Sequence, residues 1–349
     1  MDEYRKALTV WYNHSKRELP WRDSHDPYNI WVSEVILQQT RVRQGLEYYH
    51  NFLKKFPNVR ILAEAKEEEV LKVWQGLGYY SRARNMHHAA KTILAQYEGE
   101  FPEDYISIRN LKGIGDYTAA AIASIAFSLP YAVVDGNVFR VLSRLFGIPT
   151  TIDSSAGKKE FYSIAQMMLD TSRPGESNQA LMELGAILCL PDQPSCLNCP
   201  LMKKCYAFAN QSVSEFPVRS KQAKQKGRYL NYLYLYNEEH IFLEKREDKD
   251  IWRNMYQFPL IETSDPFSAE EVANSDAWIT LLANLNFTLE IISPEIIHLL
   301  SHQRLHIRFF TIRLNDAKHP DHLLVAGKAE ISRYPVPKPI ENFLIQMGH

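Results

Sequence analysis

Hydrophobic residues recur at helical spacing through the first 210 residues of the chain. Val138, Val141, Leu142 and Leu145, for example, occupy the i, i+3, i+4 and i+7 positions of one buried helix face. Short breaks rich in Gly, Pro or Asp separate such stretches, and none of the stretches alternates with period two. We therefore predict an all-α half. Its main stretches are IWVSEVILQQTRV, ILAEAKEEEVLKVWQGLG, RARNMHHAAKTILAQY, TAAAIASIAFSL, VFRVLSRLF, KKEFYSIAQMMLD and NQALMELGAILCL.

The pattern changes near residue 228. RYLNYLYLYNEEHIFLEKRE predicts two strands joined around Asn237, Glu238 and Glu239, and LHIRFFTIRL alternates again. The segment SAEEVANSDAWITLLANL between them has helical spacing. We expect a helical domain over residues 1–218, a linker over 219–228 and an α+β domain over 229–349.

Length and composition agree with two ordinary globular domains, since the 349 residues are 45% hydrophobic and 23% charged. No signal-peptide pattern and no apolar run of about 18 residues occurs, so we expect a cytosolic protein that makes no contact with membranes. Residues 229–349 hold 11 Lys and Arg against 17 Asp and Glu, which leaves 29 against 24 for residues 1–228. The basic excess gathers in RSKQAKQKGR (219–228), which is typical of a solvated linker and could also contact phosphates.

All four cysteines lie within 17 residues of one another, in the loop 189–205. The spacing C-x6-C-x2-C-x5-C in a cytosolic chain favours a metal site over disulfides. Zinc and a [4Fe–4S] cluster can both be held by four thiolates, and the single CxxC favours the cluster, with a structural role. The expected ligands are Cys189, Cys196, Cys199 and Cys205.

Two short breaks between helical stretches could carry chemistry. In LKGIGDYTA, Gly113 and Gly115 permit a tight hairpin whose following helix would offer free N–H groups to an anion, although many plain helix connections look the same. In VVDGNVFRV, Asn137 stands where an N-cap belongs, and Asp135 is a carboxylate at the positive end of a helix. Taken alone, Asp135 is most simply a structural cap.

Together the LKGIG hairpin, the aspartate of VVDGNV and the four-cysteine loop resemble the helix-hairpin-helix DNA glycosylases, where they occur in this order. LPWR (19–22), SEVILQQTRV (33–42) and GLGYYSRARN (76–85) are similar to motifs of the adenine-removing, MutY-type branch. WRNMYQFP (252–259) and HLLSH (298–302) resemble the Nudix-like C-terminal domain of that branch, which usually has Phe where Leu300 stands. No intact Nudix box is present, so we expect a recognition module without pyrophosphatase activity.

The resemblance implies a monofunctional enzyme that flips adenine out of A:8-oxoguanine or A:G pairs and hydrolyses its glycosidic bond. Tyr117 stands where the bifunctional branch has a lysine nucleophile. Glu34 would deliver protons to the adenine and activate water, while Asp135 would face the sugar cation. The apolar neighbours of Glu34 predict a raised pKa for its carboxyl, and the helix N-terminus predicts that Asp135 stays ionised.

Further roles follow from the same resemblance. The enzyme would bind double-stranded DNA as a monomer, and Asn137 and Tyr117 would steady the sugar and Asp135. Trp21, Arg22 and Gln179 would form the adenine pocket. Contacts to DNA, including wedge residues and a loop that reads 8-oxoguanine, are expected from Gln39, Thr40, Leu77, Tyr79, Gly113, Gly115, Ser301 and His302.

Each of these roles has a structural alternative. Tyr117 and Tyr79 could be packing aromatics, Asn137 a simple cap, and Ser301 with His302 the end of a surface strand. Two other functions also compete: a related glycosylase for another mismatch such as T:G, or with lyase activity, and a catalytically silent DNA-binding module. The presence of both Glu34 and Asp135 argues against the silent module.

Overall fold

The computed structural model describes residues 1–220 and 225–349. The chain forms two compact units, one of Met1–Glu64 and Asn85–Lys221, the other of Ala65–Arg84 and Gln222–His349. Of the expected linker 219–228, residues 221–224 lie outside the described residues. Its last three residues already belong to a strand, which begins at Lys226.

The helices have the following bounds. In chain order they are α1 (Asp2–Ser15), α2 (Pro27–Leu37), α3 (Val42–Lys55), α4 (Val59–Glu64), α5 (Glu67–Val73), α6 (Ser81–Gln96), α7 (Tyr105–Asn110), α8 (Asp116–Ala126), α9 (Gly136–Phe146), α10 (Ser155–Met168), α11 (Pro174–Ile187), α12 (Tyr206–Ala209), α13 (Ala269–Ala273), α14 (Asp276–Leu282) and α15 (Lys338–Gln346). In the part of the chain that the structure describes, none of them has both the length and the apolar character that a bilayer crossing requires.

The first unit is all-α, as the hydrophobic pattern predicted, and its core forms around α9. The face of Val138, Val141, Leu142 and Leu145 is buried against side chains of α10 and α11, among them Phe161. Full burial of such side chains stabilises the fold by roughly 1.5–3 kcal/mol each. The packing fixes the direction in which the N-terminus of α9 points.

The cap of α9 differs from the sequence expectation. Asp135, and not Asn137, is the N-cap residue, because its carboxylate accepts a 2.7 Å hydrogen bond from the backbone N–H of Val138. Asn137 lies within the first turn of the helix. The side chain of Asn137 is therefore available for another partner.

The glycine hairpin joins α7 to α8, and its two glycines do different things. Gly113 has a φ of +82°, and a Cβ there would stand 2.5 Å from the Cβ of Asn85, so this position requires glycine. Gly115 is extended, with a φ of −96°, and caps α8. A Cβ on Gly115 would meet no atom within 4 Å, which leaves open space before the helix.

The second unit is built on a mixed sheet, so the predicted α+β class is confirmed. The strands are β1 (Lys226–Tyr236), β2 (His240–Lys245), β3 (Tyr256–Gln257), β4 (Leu260–Thr263), β5 (Phe287–Ile292), β6 (Ile296–Leu299), β7 (Gln303–Leu314) and β8 (Leu324–Gly327). Their order is β3-β2-β1-β7-β5, with β4 paired to β1, β6 to β7 and β8 to β2.

Strands β1 and β7 form the centre of this sheet and run parallel, in register from Lys226 opposite Gln303 to Tyr236 opposite Arg313. The β1–β2 hairpin turns around Asn237–Glu239, as the sequence predicted. The predicted helical segment is interrupted and forms α13 and α14, because Ser275 accepts from the backbone N–H of Trp278 and caps a new helix.

Candidate active site

A cavity of about 430 Å³ opens within the first unit. Five helices contribute to its lining: α2, α8, α11 and the N-termini of α3 and α9, together with the loops that follow α1 and α2. All the side chains expected to act in catalysis or adenine binding line this one cavity, namely Trp21, Arg22, Glu34, Tyr117, Asp135, Asn137 and Gln179. The structure thus brings together residues up to 158 positions apart in the sequence, from Trp21 to Gln179.

Glu34 lies on α2, which begins at Pro27 after the N-cap Asp26. The residue is only 8% exposed, and the hydroxyl of Tyr117 donates a hydrogen bond to its Oε2. Burial raises the pKa of Glu34 to about 7, although the Tyr117 hydrogen bond acts to lower it and the charge of Asp135 raises it further. A carboxyl with this pKa can hold a proton near neutral pH.

Asp135 is held by two donors from α9. Its Oδ1 accepts from the backbone N–H of Val138 at 2.7 Å and its Oδ2 from Nδ2 of Asn137 at 2.7 Å. Burial nevertheless raises the pKa of Asp135, while those two donors lower it. The sequence expectation named only the favourable helix terminus and missed the desolvation that opposes it.

Asn137 links the Asp135 carboxylate to a buried arginine. Its Oδ1 accepts a 2.9 Å hydrogen bond from Nη2 of Arg140, whose Nε donates to the carbonyl of Cys189 at 2.7 Å. Arg140 also donates from Nη2 to the carbonyl of Gly185 at 2.8 Å. Sequence reasoning did not single out Arg140, because it lies on the face of α9 opposite Val138 and looks like an ordinary polar position of an amphipathic helix.

Glu183 is a second carboxyl in the cavity wall that the sequence reasoning missed. It lies one turn beyond Gln179 on α11 and is 1% exposed. Arg17 donates to it from its backbone N–H at 2.9 Å and from Nε at 2.8 Å, and Arg22 donates from Nη1 at 3.0 Å. Burial acts to raise the pKa of Glu183, but the hydrogen bonds from the two arginines outweigh it and lower the pKa to about 2. An acidic residue within ALMELGAIL was the available signal.

Two residues expected to contact DNA have an unusual backbone. Gln39, just beyond α2, has a φ of +57°, and Tyr79 has a φ of +48°. Left-handed conformations cost a non-glycine residue of order 1–3 kcal/mol and are concentrated at functional sites. Thr40 follows Gln39 and lines the active-site cavity.

Within the second unit, Tyr79 meets the loop that joins β6 to β7. Its hydroxyl lies 2.6 Å from Oγ of Ser301, and the tyrosine is 48% exposed. His302 is exposed beside Ser301, whereas Leu77 is buried. The backbone N–H of Leu300 donates to the carbonyl of Gln303 at 2.9 Å, which closes this loop with leucine in place of the usual phenylalanine.

Comparison with known proteins decides the family. Residues 32–166 match the model of the HhH-GPD superfamily of base excision DNA repair proteins, and residues 231–346 match the NUDIX domain. The adenine DNA glycosylase of Buchnera aphidicola subsp. Baizongia pistaciae is 36% identical over 318 residues, which cover 89% of this chain and 86% of that protein. The chain belongs to the adenine DNA glycosylase family.

Two further comparisons, one with a relative and one with a solved structure, show how far the likeness extends. The human adenine DNA glycosylase is 43% identical over 213 residues, 58% of this chain and 39% of the human protein. A thermostable thymine-DNA glycosylase of known structure shares 27% identity and a TM-score of 0.56, covering 60% of this chain and 96% of its own. The expected enzyme class, a hydrolase that removes adenine from DNA in base excision repair, is confirmed.

The four cysteines of the glycosylase line a second, small cavity of about 30 Å³ in the first unit. All four thiols are free, and burial raises the pKa of Cys199 to about 11. Nη1 of Arg144 lies 3.5 Å from Sγ of Cys189, and Sγ of Cys205 lies 3.4 Å from the carbonyl of Arg144. Within residues 1–220 and 225–349, no three His, Cys, Asp or Glu side chains form a ready site for a single metal ion. A set of four partly buried thiols is the donor set that a thiolate-bound cluster requires.

Because burial raises the pKa of Glu34, we predict that the folded protein becomes less stable as the pH rises. In the unfolded chain this carboxyl titrates near 4.5 and in the folded enzyme near 7, so the unfolded state binds fewer protons between those values. The free energy of unfolding therefore falls as the pH rises through this window, by about 3 kcal/mol in total. Glu34→Gln removes the effect, and we expect its melting temperature to exceed that of the wild type by more at pH 8 than at pH 5.

Thermal unfolding followed by circular dichroism at pH 5, 6, 7 and 8 measures this difference. Glu160→Gln on α10 is the control, since Glu160 is exposed and its replacement should leave a constant, small difference. A Glu34→Gln difference that does not grow with pH would show that the Glu34 carboxyl is not desolvated.

Proposed function

We propose that this glycosylase excises adenine mispaired with 8-oxoguanine or guanine, by acid-assisted hydrolysis and without lyase chemistry. The observation that carries the proposal is the pair Glu34 and Asp135, two carboxyls in different surroundings that line one cavity. Glu34 is buried and bonded to one phenol, with a pKa of about 7, whereas Asp135 accepts two hydrogen bonds at a helix N-terminus. In such a pair, Glu34 can act as a proton donor while Asp135 acts as a negatively charged stabiliser.

The chemistry divides between these two groups. Adenine is a poor leaving group as an anion, so Glu34 donates a proton to the base as the glycosidic bond breaks. Positive charge that develops on the sugar is stabilised by the Asp135 carboxylate, as in other glycosidic cleavages. Glu34, now ionised, then accepts a proton from the water that attacks the sugar. Tyr117 holds the Glu34 carboxyl and Asn137 holds Asp135 throughout.

The cavity chemistry favours hydrolysis over lyase activity. A lyase of the Schiff-base type needs an amine nucleophile close to the sugar. Tyr117 occupies the position at which the resemblance places that lysine, and lysine is absent from the described residues that line the cavity. Water is therefore the nucleophile in this proposal.

We assign catalysis to the helical domain, residues 1–218, and mismatch reading to the Nudix-like domain, residues 229–349. A base must leave the duplex to reach a cavity of this kind, at a cost of a few kcal/mol. Gln39 and Tyr79 are the proposed wedge residues, supported by their left-handed backbone, and the hairpin of Gly113 and Gly115 supports the flanking phosphates. Ser301 and His302 read the 8-oxoguanine left in the duplex.

The cysteine loop is proposed to hold a [4Fe–4S] cluster through Cys189, Cys196, Cys199 and Cys205. When bound, the cluster supplies a rigid cross-link for the loop and no redox step in the reaction. The carbonyl of Cys189 already accepts from Arg140, which in turn holds Asn137. The loop therefore supports the residue that orients Asp135.

The first test measures base release. Wild-type enzyme is incubated with duplexes that hold A:8-oxoguanine, A:G or T:G, and strand scission is compared with and without alkali. We expect adenine loss from the first two duplexes and scission only after alkali. Glu34→Gln should bind the A:8-oxoguanine duplex normally yet release adenine at least 100-fold more slowly, because general acid catalysis contributes roughly that much.

Each other outcome has a clear meaning. Scission without alkali would establish lyase chemistry, release of thymine would establish the other mismatch, and no product from any duplex would establish a silent binding module. Normal turnover by Glu34→Gln would remove Glu34 from the acid role. Glu160→Gln serves again as the control and should turn over like the wild type.

A second test addresses mismatch reading. Ser301→Ala and His302→Ala should each lower the preference for A:8-oxoguanine over A:G, by about tenfold for a lost hydrogen bond of about 1.4 kcal/mol. The measurement is the ratio of single-turnover rates on the two duplexes. His322→Ala, which changes another exposed histidine of the same unit, is the control. An unchanged ratio in both variants would remove the loop from lesion recognition.

A third test identifies the metal. Protein purified without oxygen should show broad visible absorption and contain about four iron atoms per chain. Cys199→Ser should lose both signals, together with part of the stability of the helical domain. Stoichiometric zinc in place of iron would show that the four thiolates hold a zinc ion.

A further inference from the structure

Tyr12 on α1 connects two of the side chains assigned to the adenine pocket without lining the cavity itself. The residue is 2% exposed, and its hydroxyl donates a 2.8 Å hydrogen bond to Oε1 of Gln179. The guanidinium carbon of Arg22 lies 5.7 Å from the centre of its ring. Burial raises the pKa of Tyr12 to about 12, with Arg22 acting in the opposite direction, so the hydroxyl keeps its proton and remains a donor.

In the structure, the Gln179 amide is hydrogen-bonded to Tyr12 through its carbonyl oxygen. A free glutamine side chain can rotate its amide by half a turn and offer either an acceptor or a donor. Here the carbonyl oxygen is directed at Tyr12, and the amide nitrogen is therefore directed away from it. Gln179 lines the cavity, so a donor is what the amide can offer to a base.

Arg22 is fixed from two sides. Glu183 accepts hydrogen bonds from both terminal nitrogens of its guanidinium, and the carbonyl of Arg17 accepts a third, at 2.6 Å from Nη1. The Tyr12 ring lies within cation–π distance of the same guanidinium. Tyr12 thus contacts both of the polar side chains that are assigned to the adenine pocket, Arg22 and Gln179.

We propose that Tyr12 is a positioning residue for base recognition, which holds Gln179 with its NH2 group toward the base and supports Arg22 beside it. The wall then presents hydrogen-bond donors, which suit the unprotonated ring nitrogens of adenine. The inference rests on the proposed binding of adenine by Gln179 and Arg22. It adds a residue that the pocket lining does not include.

The test compares two tyrosines that differ in their hydrogen-bond acceptor. Tyr12→Phe keeps the ring beside Arg22 and removes only the hydroxyl that holds Gln179. The control is Tyr28→Phe, because Tyr28 is also buried in the first unit and its hydroxyl donates to the backbone carbonyl of Phe56 at 2.7 Å. Both variants lose one buried hydrogen bond, so a general loss of stability should affect them alike.

Single-turnover adenine release from A:8-oxoguanine duplex is measured for both variants, for Gln179→Leu and for the double variant Tyr12→Phe with Gln179→Leu. We expect Tyr12→Phe to slow release about tenfold and Tyr28→Phe to leave the rate unchanged. The double variant should be no slower than Gln179→Leu alone, because the hydroxyl acts through that amide. Affinity for the abasic product duplex should be equal in all four variants.

Any of four results would overturn the inference. Three concern the rate of adenine release: an unchanged rate in Tyr12→Phe, an equal loss of rate in Tyr28→Phe, or losses in Tyr12→Phe and Gln179→Leu that multiply in the double variant. A fourth, weaker affinity of Tyr12→Phe for the abasic duplex, would also overturn it, since that would place the effect on DNA binding in general. Failure of the wild type to release adenine would instead reject the proposed function.

Discussion

The hydrogen bond from Tyr117 to the buried carboxyl of Glu34 is the interaction on which the active site depends. It joins α2 to α8 at the cavity. It also gives a hydrogen-bond donor to the Glu34 carboxyl, which burial has removed from water. An unpaired carboxylate at this depth would be strongly destabilising, and a fully paired one would not retain a proton near neutral pH. One neutral donor produces the intermediate case, and a carboxyl with a pKa of about 7 results.

The contrast between Glu34 and Glu183 shows that burial alone does not set the behaviour of a carboxyl. Both residues are buried in the wall of the same cavity, yet the pKa of one is about 7 and that of the other about 2. The difference comes from their partners, a phenol for Glu34 and two guanidinium groups for Glu183. The first group can exchange a proton, while the second is permanently charged and serves to hold Arg17 and Arg22 in place.

Much of this structure follows from the pattern of hydrophobic and polar residues within short stretches of sequence. The rest depends on contacts between distant residues, which that pattern does not encode. The buried face of α9, the β1–β2 hairpin and the desolvation of Glu34 were predicted because each depends on neighbours in the sequence. The bonds from Tyr12 to Gln179 and from Arg22 to Glu183 join residues more than 160 positions apart, and no periodicity reveals them. The short strands β3 and β4, of two and four residues, are likewise below the length at which alternation is visible.

The backbone at Gln39 and Tyr79 is already left-handed in the free protein. A segment that had to adopt this geometry on meeting a duplex would lose conformational entropy at that moment, which would weaken the encounter. In this protein, that conformational entropy is lost when the chain folds and not when it meets DNA. It also restricts what these positions tolerate: isoleucine, valine and threonine, whose branched Cβ atoms fit this region of backbone space poorly, would distort both turns whatever their affinity for bases.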